Sequence, residues 1–392
     1  MKAESSAILG LSKESTSFSE DGLRYLFKFQ SYCCYRPKKT IQAFLNGTGT
    51  RYVEVIVDAG FERLFPTLAG LSIPVLEFVI MSRPRIFIDG HVGTTGLRIR
   101  RWLSARDDLE IEILDAGDRN LESDRRKAIQ KSDLTLLCLP DSAAVESARW
   151  AMESGPRVLD ASSSHRVAHG LVYGLPELVP EQRQLIRDAE RVSIPGCYPS
   201  SFILLIRPLV EAGLLPAETP ISIHALSGYS GGGKSMIERW ESPKTDLKHL
   251  SFEAPYALGR THKHVPEMQR YSGLAKPPQF VPAVGPFPCG MRVQVPIHQS
   301  LLPRRVTGDS VWEILADRYK DEPFIQVENL SNGDSIDEWT LDPTELNNTN
   351  QMRLHVFPNP QGHLLLVGLL DNLGKGASGV AIQSINLMLG VD

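Results

Sequence analysis

Cysteine is scarce in this chain: Cys33, Cys34, Cys138, Cys197 and Cys289 are the only five among 392 residues. None forms a C-x-x-C pair and their spacing is irregular, which excludes a zinc ribbon and a disulfide-stapled fold. Excess charge is also missing. A formal net charge of -4 gives no electrostatic reason for a nucleic-acid or anionic-membrane partner. No secretory leader is visible, because Lys2 is not followed by an apolar core with a small-residue cleavage site. Glu14, Glu20 and Asp21 oppose the acid-poor composition of an organelle transit peptide. The most apolar stretch, residues 64–81, is broken by Pro66, Pro74 and Glu77, and it barely reaches the ~20 residues a membrane span needs. These absences leave a protein with free thiols in a reducing compartment, the cytoplasm by default and an organelle as the alternative. Neither nucleic acid nor membrane is expected as a partner.

What is present is enough apolar sequence, 42% of the residues, for two ordinary domains. Residues 1–80 stand apart from it: they carry Ser-rich, charged and short apolar pieces without clear alternation or a capped helical run. Regular patterning begins at Arg85. The functional polypeptide is therefore expected to start near Met81, and removing residues 1–80 is expected to leave activity intact; a dead truncation would contradict this.

From Arg85 to Asp89 the chain reads as a strand. Gly90, Gly93 and Gly96 follow, and then residues 97–103 show helical spacing. A strand, a glycine turn and a helix make a corner where backbone can approach a pyrophosphate and the helix N-terminus offers free N–H groups. Thr94 and Thr95 add hydroxyl donors. The spacing G-x-x-G-x-x-G is not the commoner dinucleotide fingerprint, and a ligand-free turn would carry the same glycines. Context strengthens the cofactor reading. Strand-like runs at 109–114, 134–139 and 157–160 alternate with a helical run at 142–152, predicting a doubly wound parallel sheet. At the end of the second strand, Asp115 would suit the ribose of NAD and Arg119 the 2′-phosphate of NADP.

The chemistry concentrates at Ser193-Ile194-Pro195-Gly196-Cys197-Tyr198-Pro199, followed by helical spacing over 202–215. Cys197 thus falls at a helix start, where the dipole and free N–H groups favour a thiolate and could hold an oxyanion. Cys138, in an apolar strand, and Cys289, between Pro288 and Gly290, read as structural. A thiol nucleophile needs a proton-transfer partner. His262 and His264, two apart, would point the same way in an extended segment, although two surface histidines remain the plainer alternative. Arg260 and Lys263 add positive charge suited to a phosphate- and carboxylate-bearing substrate. Gly228 through Ser235 fits the P-loop expression literally but lies in the wrong half of the chain, so it reads as a mobile substrate loop with Lys234 as its cation. Near the end, a glycine-rich stretch precedes a helical run at 380–389 that could return to the first domain.

Four stretches taken together resemble the N-acetyl-gamma-glutamyl-phosphate reductase family, in its shorter form. They are Ile88-Asp89-Gly90-His91-Val92-Gly93-Thr94-Thr95-Gly96-Leu97, Pro195-Gly196-Cys197-Tyr198-Pro199, His262-Lys263-His264-Val265-Pro266-Glu267 and Asp371-Asn372-Leu373-Gly374-Lys375-Gly376-Ala377. The resemblance runs from about Arg83 to Asp392. It implies an α/β fold: a Rossmann-type NADP-binding domain, plus an α+β catalytic and dimerisation domain like that of glyceraldehyde-phosphate dehydrogenase. The implied domains are an N-terminal extension at 1–82, cofactor binding at 83–197 completed by 372–392, and catalysis at 198–371. The implied reaction is NADPH-dependent reduction of an acyl phosphate through a thioester on Cys197, by a homodimer or homotetramer.

Carried over by motif, His264 is the acid/base and His262 contacts substrate, although the two could be exchanged. The stretch Asp160–Arg166 lies near substrate and nicotinamide, with Arg166 on the substrate side and Ser162 on the cofactor side. Asn372 and Lys375 match the cofactor side, and Glu177 matches a family-typical position without a stated role. No metal ligand set is implied. An aspartate-semialdehyde dehydrogenase and a non-catalytic NADP-binding sensor remain the rival readings.

Overall fold

The structure, a computed structural model, describes residues 83–391 apart from 260, 304 and 332–335, together with the backbone of four strands between residues 10 and 52. It divides into two compact units, Met1–Arg83 and Pro84–Asp392. In the first, β1 (Gly10–Ser19) pairs antiparallel with β2 (Gly22–Gln30), and β3 (Phe44–Leu45) with β4 (Arg51–Tyr52). The apolar stretch 64–81 lies outside the described residues. Among those described, no helix is long and apolar enough to cross a membrane.

The second unit holds two sheets. The first is entirely parallel and six-stranded: β5 (Arg85–Asp89), β6 (Glu110–Glu112), β7 (Leu134–Leu137), β8 (Arg157–Asp160), β9 (Val172–Tyr173) and β10 (Arg191–Ser193), in the order β6-β5-β7-β8-β10-β9. Every residue of β7 is buried, as is expected where helices cover both faces of a parallel sheet. The covering helices include α1 (Thr94–Leu103), α2 (Glu122–Lys131), α3 (Asp141–Ser154) and α4 (Gln182–Asp188). The chain runs from β5 to β6 on one side and then crosses to β7 on the other. The carboxyl ends of β5 and β7 therefore flank a topological switch point, where open α/β sheets bind ligands.

The second sheet is mixed. It contains β11 (Ser222–Gly228), β12 (Ala254–Pro255), β13 (Gln279–Gly285), β14 (Met291–Ile297), β15 (Ile325–Val327), β16 (Met352–Pro358) and β17 (Leu364–Leu370), in the order β12-β13-β11-β14-β17-β16-β15. One face is covered by α5 (Cys197–Glu211), which also touches α7 (Val265–Ser272) and α8 (Gly308–Tyr319). Helix α5 is apolar on nearly all sides. Phe202 through Ile206 are fully buried, and Ser201 lies so close to β17 that only glycine fits at Gly368. The last helix, α9 (Gly379–Leu389), returns to pack on α1, α4 and β8.

Candidate active site

The glycine corner is shaped by steric exclusion. Gly90 follows β5 with φ +90°, and a Cβ there would run into the Cys138 carbonyl at the end of β7. A Cβ at Gly96 would stand 2.6 Å from the Gly90 oxygen and 2.9 Å from the His91 Cα. Only glycine lets α1 begin this close to the strand end. The Gly93 amide donates to Gly90 O at 3.1 Å, and Leu97 donates to Gly93 O at 2.8 Å. Thr94 and Thr95 open the helix with no side-chain cap, so its first-turn amides face outward with the positive end of the helix dipole. This cradle fits a pyrophosphate. Beside it, burial and then the Arg100 and Arg119 charges hold His91 below its ordinary pKa. Arg119 itself sits in the Asp115 turn after β6.

The second corner is made of buried side chains. Gly196 is the N-cap of α5 and Cys197 its first residue. Gly196 donates its amide to Glu267 Oε2 at 3.0 Å; the same carboxylate accepts Arg166 Nη1 at 2.8 Å and the Tyr173 hydroxyl at 2.8 Å. Arg166 Nε donates to Ile194 O at 3.0 Å, immediately before the cysteine turn. A Cβ at Gly196 would be 2.6 Å from His264 Nε2 and 2.7 Å from Arg166 Nη1. The residue preceding the thiol therefore lies between an imidazole and a guanidinium.

The histidines converge by a different route from the one their spacing suggests. They sit in a turn rather than an extended segment: His264 caps α7, and its amide donates to His262 Nδ1 at 3.2 Å. The ring centroids are 4.6 Å apart. Burial, then Lys263 and Arg166, push His262 down to about 4. Burial, then Arg166 and His262, put His264 well below its ordinary value. Both imidazoles are neutral at pH 7. With Nδ1 accepting, neutral His262 carries its proton on Nε2, 3.4 Å from the Tyr256 hydroxyl, which in turn donates to Tyr198 at 3.2 Å. His264 Nδ1 is buried without a hydrogen-bond partner.

Cys197 corrects the thiolate expectation. Burial pushes its thiol up to about 11, and Arg166 and the Tyr198 amide only partly pull it back. The thiol and the His264 imidazole are thus both neutral at pH 7.

Other expected residues fall in several places. Asn372 is buried among loops of the mixed sheet; its Oδ1 accepts from Gly290 N at 2.8 Å and its Nδ2 donates to Ser230 at 3.1 Å. Ser162 is engaged with Asp160 through both amide and hydroxyl, at 2.8 Å each, and Asp160 also holds His165. Lys375 departs from the cofactor-side expectation: it is fully buried, with its ammonium 2.7 Å from Glu177 Oε1 and 2.6 Å from Gln383 Oε1. Lys234 departs as well. The stretch expected as a mobile loop is a 3₁₀ turn followed by α6 (Gly233–Glu241), and Lys234 is 81% exposed beside Glu238. Arg260 lies outside the described residues. Cys138 directly follows a buried strand, and Cys289 lies 3.3 Å from the Ser230 hydroxyl. Sequence reasoning assigned no role to Glu267, Tyr173, Tyr198 or Tyr256. A carboxylate on the third residue of an apolar helix start, as at Glu267, is the one signal that could have been used.

The fold is that of a semialdehyde dehydrogenase-type oxidoreductase. The semialdehyde dehydrogenase NAD binding domain matches residues 104–186, and the semialdehyde dehydrogenase dimerisation domain matches residues 197–372. Aspartate semialdehyde dehydrogenase II from Vibrio cholerae, solved in complex with ASA, superposes with a TM-score of 0.59 at 14% identity, over 79% of this chain and 98% of that one. The enzyme from Candida albicans, solved with NADP, gives 0.55 at 14% identity, over 79% of this chain and 99% of that one.

Sequence similarity narrows the class. N-acetyl-gamma-glutamyl-phosphate reductase from Trichormus variabilis is 45% identical over 316 residues, covering 79% of this chain and 98% of the relative. The Burkholderia lata protein of that name is 46% identical over 311 residues, with the same coverage. The chain belongs to the N-acetyl-gamma-glutamyl-phosphate reductase family.

Proposed function

We propose that this enzyme reduces N-acetyl-L-glutamyl 5-phosphate to N-acetyl-L-glutamate 5-semialdehyde, with NADPH as reductant and release of phosphate, in arginine biosynthesis. Family membership supports the reaction. The observation that carries the residue assignment is the position of Gly196, in van der Waals reach of both His264 and Arg166 and adjacent to Cys197.

In this reading Cys197 Sγ attacks the acyl carbon while its proton passes to neutral His264, the base that a thiol raised to about 11 requires. The α5 amides hold the oxyanion, and collapse expels phosphate and leaves a thioester. The glycine corner would hold the cofactor by its pyrophosphate, and the bound nicotinamide would supply the hydride equivalent for the thioester on Cys197. His264 returns the proton, and the thiohemiacetal breaks down to aldehyde and thiol. Arg166 faces the substrate anion, His262 contacts substrate, and Glu267 fixes Arg166 and the Gly196 amide together. Preference for NADPH over NADH rests on Arg119, in the turn after β6 that would meet the 2′-phosphate.

The subunits associate through the face of the mixed sheet opposite α5. Pro296, Leu365 and Phe357 are register partners across β14, β17 and β16, and all three retain exposure on the face opposite α5. Leu365→Asp is expected to convert the oligomer to monomer in sedimentation analysis, and an unchanged sedimentation coefficient would sink this assignment.

The substrate is tested by the reverse reaction. N-acetylglutamate 5-semialdehyde, phosphate and NADP⁺ should give phosphate-dependent NADPH absorbance that Cys197→Ala abolishes. No signal from folded, NADP-binding protein would overturn the substrate in favour of aspartyl phosphate or a relative.

A further inference from the structure

The segment between β17 and α9, Gly374–Ser378, is a π-helical turn. Gly376 N reaches back to Asp371 O at 3.0 Å and Ser378 N to Leu373 O at 2.9 Å, each five residues earlier. Such turns are rare and tend to mark functional positions. This one is pressed against the nucleophile. A Cβ at Gly376 would be 2.7 Å from the Cys197 Cβ and 3.1 Å from its Cα. At its far end, Ser378 Oγ donates to Thr95 O at 3.4 Å, in the first turn of α1. The turn thus touches both corners of the site.

Lys375 projects from this turn into the core and makes a closed triangle. Its ammonium binds Glu177 Oε1 and Gln383 Oε1, while Gln383 Nε2 donates to the same Glu177 oxygen at 3.0 Å. Both charged side chains are 0% exposed. A further tie runs from Asn350 Nδ2 to Gln383 Oε1 at 2.9 Å. Burial, the largest single influence, would raise the Glu177 carboxyl, but Lys375, Gln383 and Arg183 together outweigh it, so the carboxyl stays below its ordinary range. Two charges taken fully out of water are a poor source of stability, since well-packed apolar side chains of similar volume commonly do as well. The network is therefore not explained by folding energy. It does, however, fix the rotation of one turn relative to α9 and to the loop after β9.

We infer that Glu177, Lys375 and Gln383 are positioning residues, which clamp the Gly374–Ser378 turn against Cys197 and α1 so that the thiol and the cofactor corner share one geometry. The inference rests on Cys197 as nucleophile and touches no reacting atom itself. It replaces the expectation that Lys375 contacts the cofactor.

The test is the full-length double variant Glu177→Met/Lys375→Met, whose apolar pair should preserve folding. Loss of the clamp lets the turn relax from Cys197, with two effects of opposite sign. Turnover should fall by roughly ten- to a hundredfold with the KM for NADPH within about twofold of wild type, since small misplacements cost on this scale. Better solvated, the thiol should be alkylated by iodoacetamide about tenfold faster at pH 8, equivalent to one pKa unit of added thiolate. Alkylation needs neither substrate nor cofactor, so its result is independent of whether the acyl phosphate has been identified correctly. Wild-type turnover together with wild-type alkylation would overturn the inference. So would a KM for NADPH raised with kcat intact, which would return Lys375 to the cofactor. If the double variant does not fold, Gln383→Leu keeps the ion pair and should shift both rates in the same directions by about threefold; no shift in either would be equally contrary.

Discussion

Around Gly90 the chain builds its site from backbone, and around Cys197 from buried side chains. The first corner works by what is missing: no Cβ at Gly90 or Gly96, and no side-chain cap on α1. The second brings together a guanidinium, a carboxylate, two imidazoles and a thiol, of which Arg166, Glu267 and His264 are buried. A phosphate needs many weak, fixed donors, which a helix start provides without titrating. Thioester chemistry needs groups that exchange protons, and those must be tuned by neighbours. Damage should accordingly differ between the two corners: substitutions in the backbone corner act on cofactor affinity, and those in the side-chain corner act on turnover and pH response.

The largest effect should come from Cys197→Ser, which lowers kcat by more than roughly 10³-fold while NADPH binding, followed by fluorescence, stays intact. A parallel loss of NADPH affinity would break the separation between the corners. Next, Gly96→Ala puts a methyl 2.6 Å from the Gly90 carbonyl oxygen. Although alanine favours helix, the KM for NADPH should rise about tenfold or more because α1 must withdraw from the strand end. Unchanged NADPH kinetics would remove this corner from cofactor binding. Arg119→Ala should reduce the NADPH-over-NADH preference in kcat/KM by about tenfold, the value of one partly exposed charge-assisted hydrogen bond; an unaltered preference would clear Arg119.

The smallest effect concerns stability. His262 and His355 are pushed down to about 4 and His264 also lies low, burial being the first cause in each case. Below pH 6.5 the unfolded chain then binds protons that the folded chain refuses, so stability is full above about 6.5 and declines as pH falls toward 4. Thermal unfolding at pH 5 should come several degrees below that at pH 7.5. A flat profile would mean that these imidazoles are not held neutral.

The backbone corner was the more legible in the sequence. Glycine spacing after a short apolar run states a local geometry, and β5, β7 and β8 fall where alternation put them. Cys197 could be placed at a helix start from the run that follows it. What could not be read was everything decided by burial or by partners far along the chain. The thiol's rise to about 11 comes from packing that no neighbouring residue announces. The resemblance puts Lys375 on the cofactor side, whereas the partner that holds it, Glu177, stands 198 residues away. The histidines did converge, but through a turn that their i, i+2 spacing does not distinguish from a strand. Short strands such as β9, β12 and β15 carry two or three residues each and leave no periodicity to find.

The central claim is that the reaction passes through an acyl group on Cys197, and it can be seen directly. Enzyme mixed with N-acetyl-L-glutamyl 5-phosphate in the absence of NADPH, quenched in acid and digested, should carry an N-acetylglutamyl mass on the peptide containing Cys197. Adding NADPH before the quench should remove it. An adduct on another residue, or phosphate release with Cys197 unmodified, would contradict the account.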